Sequence, residues 1–297
     1  MIFMVATMLL VTVLVFGLSR ARGDPRLMLL DDNTTQETWD AWGEQMGLDR
    51  PLVVQYFVWL SRAVQGDLGK SLWEKRPVTE SLMQRIPATL QLGAAAWAFA
   101  MLLGVPLGVL SAVKRGSIWD YIGRVTATFG QALPPFWLGL MLILFFSVQL
   151  EWLPLGRRGG IDHLILPAVT LGWLAAAAIL RLVRSAMLDV LDSEYVKLAR
   201  SKGVSPNKVI WKHAFRNAML VPMTYSVLIL SGFLTGTVVT ETVFSWPGLG
   251  RLSVVAIQSN DFPMMAGTVL LGTGLIILAN FAVDMLSVVV DPRIKFE

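Results

Sequence analysis

Residues 87–113 read PATLQLGAAAWAFAMLLGVPLGVLSAV, 27 consecutive positions without one charged side chain. An α-helix rises about 1.5 Å per residue, so about 20 apolar residues cross the roughly 30 Å of a bilayer's hydrocarbon. This stretch can span a membrane with residues to spare. Five more uncharged runs stand at 1–18, 126–150, 163–180, 217–240 and 262–283, and all 25 basic and 21 acidic residues of the 297-residue chain fall between them. In the connectors charge is as dense as on ordinary soluble proteins, about a quarter of positions; only the runs exclude it. The sequence predicts an all-α membrane protein, a bundle of six transmembrane helices. A transmembrane β-barrel would need segments of about ten residues alternating in polarity, and no segment alternates for that length.

The basic residues orient the bundle. With both termini cytoplasmic, the inner connectors 114–125 and 181–216 and the tail after 283 hold 3, 8 and 2 basic residues, against 2 and 1 in the short outer connectors 151–162 and 241–261. That asymmetry satisfies the positive-inside rule. The connector 19–86 carries 9 basic and 10 acidic residues, but loops of this length cross regardless of charge, so it is expected outside. The organisation is then a first transmembrane helix at 1–18, an extracytoplasmic segment at 19–86, and a core of helices 2–6 at 87–297 that includes the cytoplasmic connector 189–216.

The outer segment is too polar to enter lipid, yet Trp39, Trp42, Tyr56, Phe57, Trp59 and Trp73 are more aromatic content than a disordered linker carries. It is expected to fold against the bundle. Residues 34–46 open on a candidate N-cap, Thr34, with Glu37 in the capping-box position, and residues 52–64 place apolar side chains at helical spacing; each predicts a short helix. The first run lacks a basic leader and a small-x-small cleavage site, so it reads as a retained helix rather than a signal peptide. Gly104 with Gly108, and Gly232 with Gly236, are small-xxx-small pairs that permit close helix approach in lipid, though glycines also occur incidentally in such helices. Pro106, Pro134, Pro135 and Pro222 lie within predicted spans and can kink them.

Several chemistries are excluded by their missing parts. The chain has no Cys and two His, His163 and His213, which leaves no disulfide framework and no convincing zinc site. Gly66-Asp67-Leu68-Gly69-Lys70-Ser71 ends like a phosphate loop, but the first Gly of that motif would have to stand at Val64. No nucleophile elbow, zinc-binding helix or paired carboxylates supply an enzyme's minimum set. Ionisable groups are absent from the cores of the runs. Glu241, Asp284, Arg124, Arg181 and Arg184 sit near their ends, where snorkelling or ion pairing accounts for them. A proton-coupled carrier would need a buried relay.

The connector 189–216 is the most informative. Ser193 to Lys202 favours helix, Gly203 can adopt the left-handed conformation that closes one, and Ser205-Pro206 offers an N-cap followed by Pro at the first helical position of a second helix running toward Ala214. A short helix held at a fixed turn is a lever that a cytoplasmic partner could push; a solvated basic loop would carry the same residues. Glu194-Tyr195-Val196-x-x-Ala199-Arg200-Ser201-Lys202-Gly203-Val204-Ser205, followed by His213-Ala214-Phe215-Arg216-Asn217-Ala218, resembles the coupling loop of ABC importer permeases of the dipeptide/oligopeptide/nickel group. Gly23-Asp24-Pro25, Gly47-Leu48-Asp49-Arg50-Pro51, Gly66-Asp67-Leu68-Gly69-x-Ser71, the stretch from Glu241 through Phe244, Trp246, Pro247 and Gly248 to Arg251, and Asp291-Pro292-Arg293 extend the likeness over nearly the whole chain, to the first, B-type, permease subunit. The sequence departs from the general permease pattern of Glu-Ala-Ala, three residues, then Gly: Lys197-Leu198-Ala199 stands there, and no Leu-Pro follows Phe215-Arg216. Chains of the group usually begin with a basic stretch, whereas this one opens inside its first helix.

The resemblance implies a transport subunit of the cytoplasmic (inner) membrane of a prokaryote. It would pair with a second permease subunit, receive substrate from an extracytoplasmic binding protein, and be driven by two ATP-binding subunits that use ATP and Mg. No cofactor, metal or nucleic acid is expected on this chain. It further implies that Glu194, Tyr195, Ala199, Arg200, Lys202, Gly203, Val204 and Ser205 engage the ATPase, and that Glu241, Phe244, Trp246, Pro247 and Gly248 form an outer gate or a binding-protein contact. Trp246-Pro247-Gly248 reads as a rigid turn anchored at the membrane interface. Peptide is the expected cargo, with nickel or another small solute as the alternative; a stand-alone secondary transporter would want inverted repeats or a buried ionisable site.

Overall fold

The computed structural model of the chain describes residues 2–21, 35–46, 48–233 and 237–290. Among them the backbone is helical apart from turns and one antiparallel bridge between Lys70 and Pro77. The helices are α1 (Ile2–Ala21), α2 (Gln36–Met46), α3 (Leu52–Val64), α4 (Val78–Val113), α5 (Ile118–Ala132), α6 (Pro135–Leu142), α7 (Ile161–Leu191) and α8 (Glu194–Ser201), then α9 (Leu220–Phe233), α10 (Val238–Val243), α11 (Leu249–Gln258) and α12 (Phe262–Val290). π-helical turns continue α6 over Ile143–Gln149 and fill the approach to α9 over Val209–Phe215. The two short helices expected in 34–46 and 52–64 are α2 and α3; the capping residue Thr34 lies outside the described residues, as do Gly23-Asp24-Pro25, Gly47, Gly236 and Asp291-Pro292-Arg293.

Three described helices, α4, α7 and α12, are long and apolar enough to cross a membrane, and a fourth crossing results if α5 and α6 with its π-helical continuation are one bent span. The uncharged run 126–150 is thus not one straight helix. It breaks by 107° at Leu133-Pro134-Pro135, because neither proline offers an N–H and each pushes the residue before it out of the helical region. Leu133 and Pro134 are accordingly extended, with ψ of 121° and 135°. α1 and α9 are apolar but shorter. In the other direction, α4 begins nine residues before its uncharged run and α7 continues to Leu191 beyond Arg181, Arg184 and Asp189, since charges beyond the hydrocarbon do not stop a helix.

The chain forms two compact units, one of residues 1–87 and 252–277, the other of 88–251 and 278–297. In the second, α7 is the hub. A Cβ on Gly104 would stand 2.8 Å from the Ala176 carbonyl, and one on Gly108 2.8 Å from that of Leu180, so these glycines let α4 lie directly on α7. A Cβ on Gly232 would instead meet nothing within 4 Å. The core of this unit is built from Ala96, Ala100, Ile179, Val183, Met187 and Ala214, all fully buried or nearly so. In the first unit α3 packs on α1: the Phe16 ring meets Tyr56 and Trp59 at 5.5 and 5.7 Å, and the Thr12 and Tyr56 hydroxyls share a hydrogen bond of 2.8 Å.

Candidate functional site

α8 follows α7 after a two-residue break at Asp192-Ser193 and ends as its glycine predicts. Gly203 has φ of +76°, a conformation that costs a residue with a Cβ. Its N–H reaches the Arg200 carbonyl at 3.0 Å while the Val204 N–H reaches that of Ala199 at 3.2 Å. Those two bonds are the reverse turn that satisfies a helix's last carbonyls and fixes the exit of the chain. Pro206 occupies the first position of the next helical run. The Ser205 side chain, expected to cap it, makes no capping hydrogen bond.

One face of α8 is anchored and the other is free. Val196 is completely buried, the Tyr195 hydroxyl lies 3.3 Å from the His213 carbonyl and accepts from the Asn217 amide at 3.1 Å. These contacts tie α8 to the passage leading into α9. Glu194, Arg200, Lys202, Gly203 and Ser205 are exposed, Ala199 and Val204 half-buried, and Lys197 pairs with Glu194 at 2.8 Å. Six of the eight residues expected to meet a partner fall between Ala199 and Ser205. Ala199 and Arg200 stand three and four positions after Val196, on its side of the helix, and Lys202, Gly203, Val204 and Ser205 form the turn beyond. The side of α8 opposite Val196 carries Glu194, Lys197, Leu198 and Ser201, all exposed.

A second constellation sits where α7 begins its last turns before α8. Asp120 is 2% exposed. It accepts from Arg184 Nε at 2.8 Å and Nη2 at 3.2 Å, from the Ser111 hydroxyl at 2.7 Å and from the Gly116 N–H at 3.0 Å. Arg184 is thus ion-paired as the sequence allows, and Arg124 approaches the same carboxylate at 3.7 Å. The bidentate geometry clamps α4, α5 and α7 together. Asp120 escapes sequence reading because it stands in a connector full of charge; its one signal is a lone acid beside the Lys-Arg-Gly-Ser turn. The Asp284 side chain lies outside those described.

The stretch from Glu241 to Arg251 is a buried knot. Glu241, Phe244 and Trp246 are 0%, 1% and 0% exposed. The Glu241 carboxylate accepts from the Thr89 hydroxyl at 2.8 Å and from the Arg251 N–H at 2.9 Å, and Gly248 lies so close against it that a Cβ would collide. The Thr89 oxygen accepts in turn from the Leu249 N–H at 2.8 Å, and the Trp246 indole N–H donates to the Ala88 carbonyl at 2.8 Å. Ser245 turns the chain at φ of +50°. Two readings change here. Trp246 faces the interior rather than lipid, because its indole N–H finds its partner on α4; and Glu241 is not a snorkelling end residue but a fully buried acceptor. Only Thr242 is exposed in this turn, with Val243, Ser245 and Pro247 half-buried.

The Gly66-to-Ser71 stretch has its own tie. The Ser71 hydroxyl donates to Asp261, whose carboxylate also accepts from the Trp73 and Met264 N–H groups at 3.1 and 3.2 Å. Next to it Glu74 binds the Ser81 hydroxyl at 2.6 Å, Arg76 at 2.8 Å and Arg85. Burial disfavours the charged form of Glu74, but the hydrogen bonds from Ser81 and Arg76 and the charges of Arg85 and Arg76 outweigh it and hold the carboxyl below its usual range. The glycines of this stretch shape a structural turn, with φ of +85° at Gly66 and +82° at Gly69.

Comparison with known proteins agrees over the whole length. Residues 104–296 match the family described as "Binding-protein-dependent transport system inner membrane component", and residues 1–93 match its N-terminal companion. The chain is 39% identical to the oligopeptide transport system permease protein AppB of Bacillus subtilis (strain 168), covering 96% of this chain and 94% of that protein. It is 38% identical to the di/tripeptide transport system permease protein DppB of Pseudomonas aeruginosa (strain UCBPP-PA14), covering 97% and 94%, and 37% identical to the glutathione transport system permease protein GsiC of Escherichia coli (strain K12), covering 99% and 96%. Among solved structures, an inward-facing MetNI methionine ABC transporter shares the fold, with a TM-score of 0.58 at 20% identity, covering 70% of this chain and 95% of that one. The chain belongs to the family of inner membrane components of binding-protein-dependent transport systems.

Proposed function

We propose that this chain is the B-type permease subunit of a peptide ABC importer, and that α8 is the element through which ATP hydrolysis in other subunits moves it. The observation that carries this reading is α8 itself: a helix rigidly closed by Gly203 and anchored through Val196, with Arg200 exposed in its last turn and Lys202, Gly203 and Ser205 exposed in the turn that follows it. Such an element transmits a push because its fixed face continues into α7 and into α9. Arg200 and Lys202 supply charged contacts to an ATPase cleft, while Ala199 and Gly203 keep the approach close. ATP and Mg belong to those subunits, and this chain is not an enzyme.

Six transmembrane helices with both termini cytoplasmic place α8 on the inner side, supported by the 13 basic residues of the inner short connectors and tail against 3 outside. A second permease subunit completes the pathway, and an extracytoplasmic binding protein delivers cargo to the outer segment and to the 241–251 knot. In that knot Glu241, Phe244 and Trp246 shape the turn from within, leaving Thr242 and Pro247 to meet a partner. Peptide is the cargo, since relatives of 37–39% identity named for oligopeptides, di- and tripeptides and glutathione all match nearly end to end. The test is Gly203→Val in the reconstituted importer. Substrate-stimulated ATP hydrolysis should be lost while the chain still assembles in the membrane; unchanged stimulation would remove α8 from the role.

A further inference from the structure

The outer segment reads from its sequence as too polar for lipid, but α3 is an exception to the rest of that segment. Its Tyr56 and Trp59 side face α1, meeting Thr12 and Phe16. Adjacent to that face runs a second apolar stripe, Val53, Phe57, Leu60 and Val64, spaced i, i+4, i+7 and i+11 and so stacked along one side of the helix. Val53, Phe57 and Val64 are 66%, 60% and 80% exposed, and Leu60 is half-buried. Arg62 projects about 160° away from Val64 around the helix.

The depth of α3 follows from where it touches α1. Thr12 and Phe16 lie in the later half of the uncharged run 1–18, and Thr12 precedes the end of that run by six residues, about 9 Å along the helix axis. α1 itself exposes Leu9, Leu10, Val13 and Leu14, the apolar surface of a helix set in hydrocarbon. A helix held against that level by a hydrogen bond and ring contacts lies within the bilayer's outer boundary, at the 5–10 Å depth typical of helices that rest in a membrane face.

We infer that α3 is an interfacial helix whose Val53, Phe57, Leu60 and Val64 stripe inserts among the acyl chains of the outer leaflet, with Arg62 turned to the headgroups and water. The inference rests on the proposed topology, in which α1 spans the membrane and its C-terminal end is outside. Lipid is the occupant because the stripe carries no charge and continues the apolar surface of α1 at the same level. A soluble partner such as a binding protein would have to enter the hydrocarbon to cover it, and cover by the second permease subunit is the outcome that shielding from both reagents detects.

The absence of native cysteine from the chain makes the test direct. Val53→Cys, Phe57→Cys, Val64→Cys, Arg62→Cys and, on α1, Val13→Cys are each spin-labelled in the assembled importer in liposomes, with cysteines of the other subunits replaced. Collision with oxygen and with a water-soluble nickel chelate is then measured. A stripe position whose variant fails to assemble is replaced by Leu60→Cys. Labels at 53, 57 and 64 should show an oxygen-to-nickel collision ratio at least tenfold that at 62. Stripe labels as open to nickel as position 62, with position 13 still in lipid, would overturn the inference alone. Stripe labels shielded from both reagents would also overturn it, by showing protein in the place of lipid. If position 13 is open to nickel as well, the topology beneath the inference falls with it.

Discussion

At the scale of single residues, Glu241 is the group whose surroundings say most about its task. A carboxylate buried in a membrane protein is costly unless donors surround it, and here the Thr89 hydroxyl and the Arg251 N–H do so. Glu241→Ala orphans both donors, at about 1–3 kcal/mol each, and should lower the melting temperature of the purified importer; Glu241→Gln, which keeps one acceptor oxygen, should lower it less. Glu74 sets a pH dependence of definite sign. Its folded-state value lies below the ordinary 4.5, so its contribution to stability is complete above that value and is lost as pH falls through the lower, folded one. The wild type should lose stability on acidification below about pH 4.5 more steeply than Glu74→Gln, measured by thermal unfolding across pH. Gly203 differs from both: its φ of +76° penalises a β-branched replacement by about 1–2 kcal/mol, small against the whole fold but enough to deform the end of α8. That is why Gly203→Val should uncouple rather than unfold.

At the scale of elements, close packing on α7 separates the two glycine pairs that look alike in sequence. Gly104→Ala forces α4 off the Ala176 carbonyl and should cost about 1–3 kcal/mol, whereas Gly232→Ala, facing open space, should be neutral or slightly stabilising by the ordinary helix preference of Ala. The yield of assembled complex reads the difference. α2, α3, α8 and the Gly203 closure are legible in the sequence because each rests on local signals: helical spacing, a helix-ending glycine, a proline at a helix start. The break at Leu133-Pro134-Pro135 is half legible. The prolines announce a kink, but whether a run bends a little or turns by 107° depends on what receives the second half. Glu241 and Asp120 are illegible for the same kind of reason, since burial is set by residues distant in sequence: Thr89 lies 152 positions from Glu241, and Arg184 64 positions from Asp120.

For the whole molecule, the division of labour follows from what the chain builds. Among the described residues, the acids taken out of solvent hold turns and helix ends: Asp120 joins α4, α5 and α7, Glu241 holds the 241–251 knot, and Asp261 and Glu74 hold the turn before α4. On the proposed reading, α8 and the turn at Gly203 are where an outside force enters. The central claim is therefore that transport through this chain is powered in trans and supplied by a binding protein. Its most direct test is uptake of a radiolabelled dipeptide into liposomes containing this chain with its partner permease and ATPase subunits, with the binding protein added from the outer-face side. Accumulation should require both the binding protein and hydrolysable ATP, and should vanish with a non-hydrolysable analogue. Accumulation driven by an ion gradient alone, without the ATPase subunits, would contradict the account.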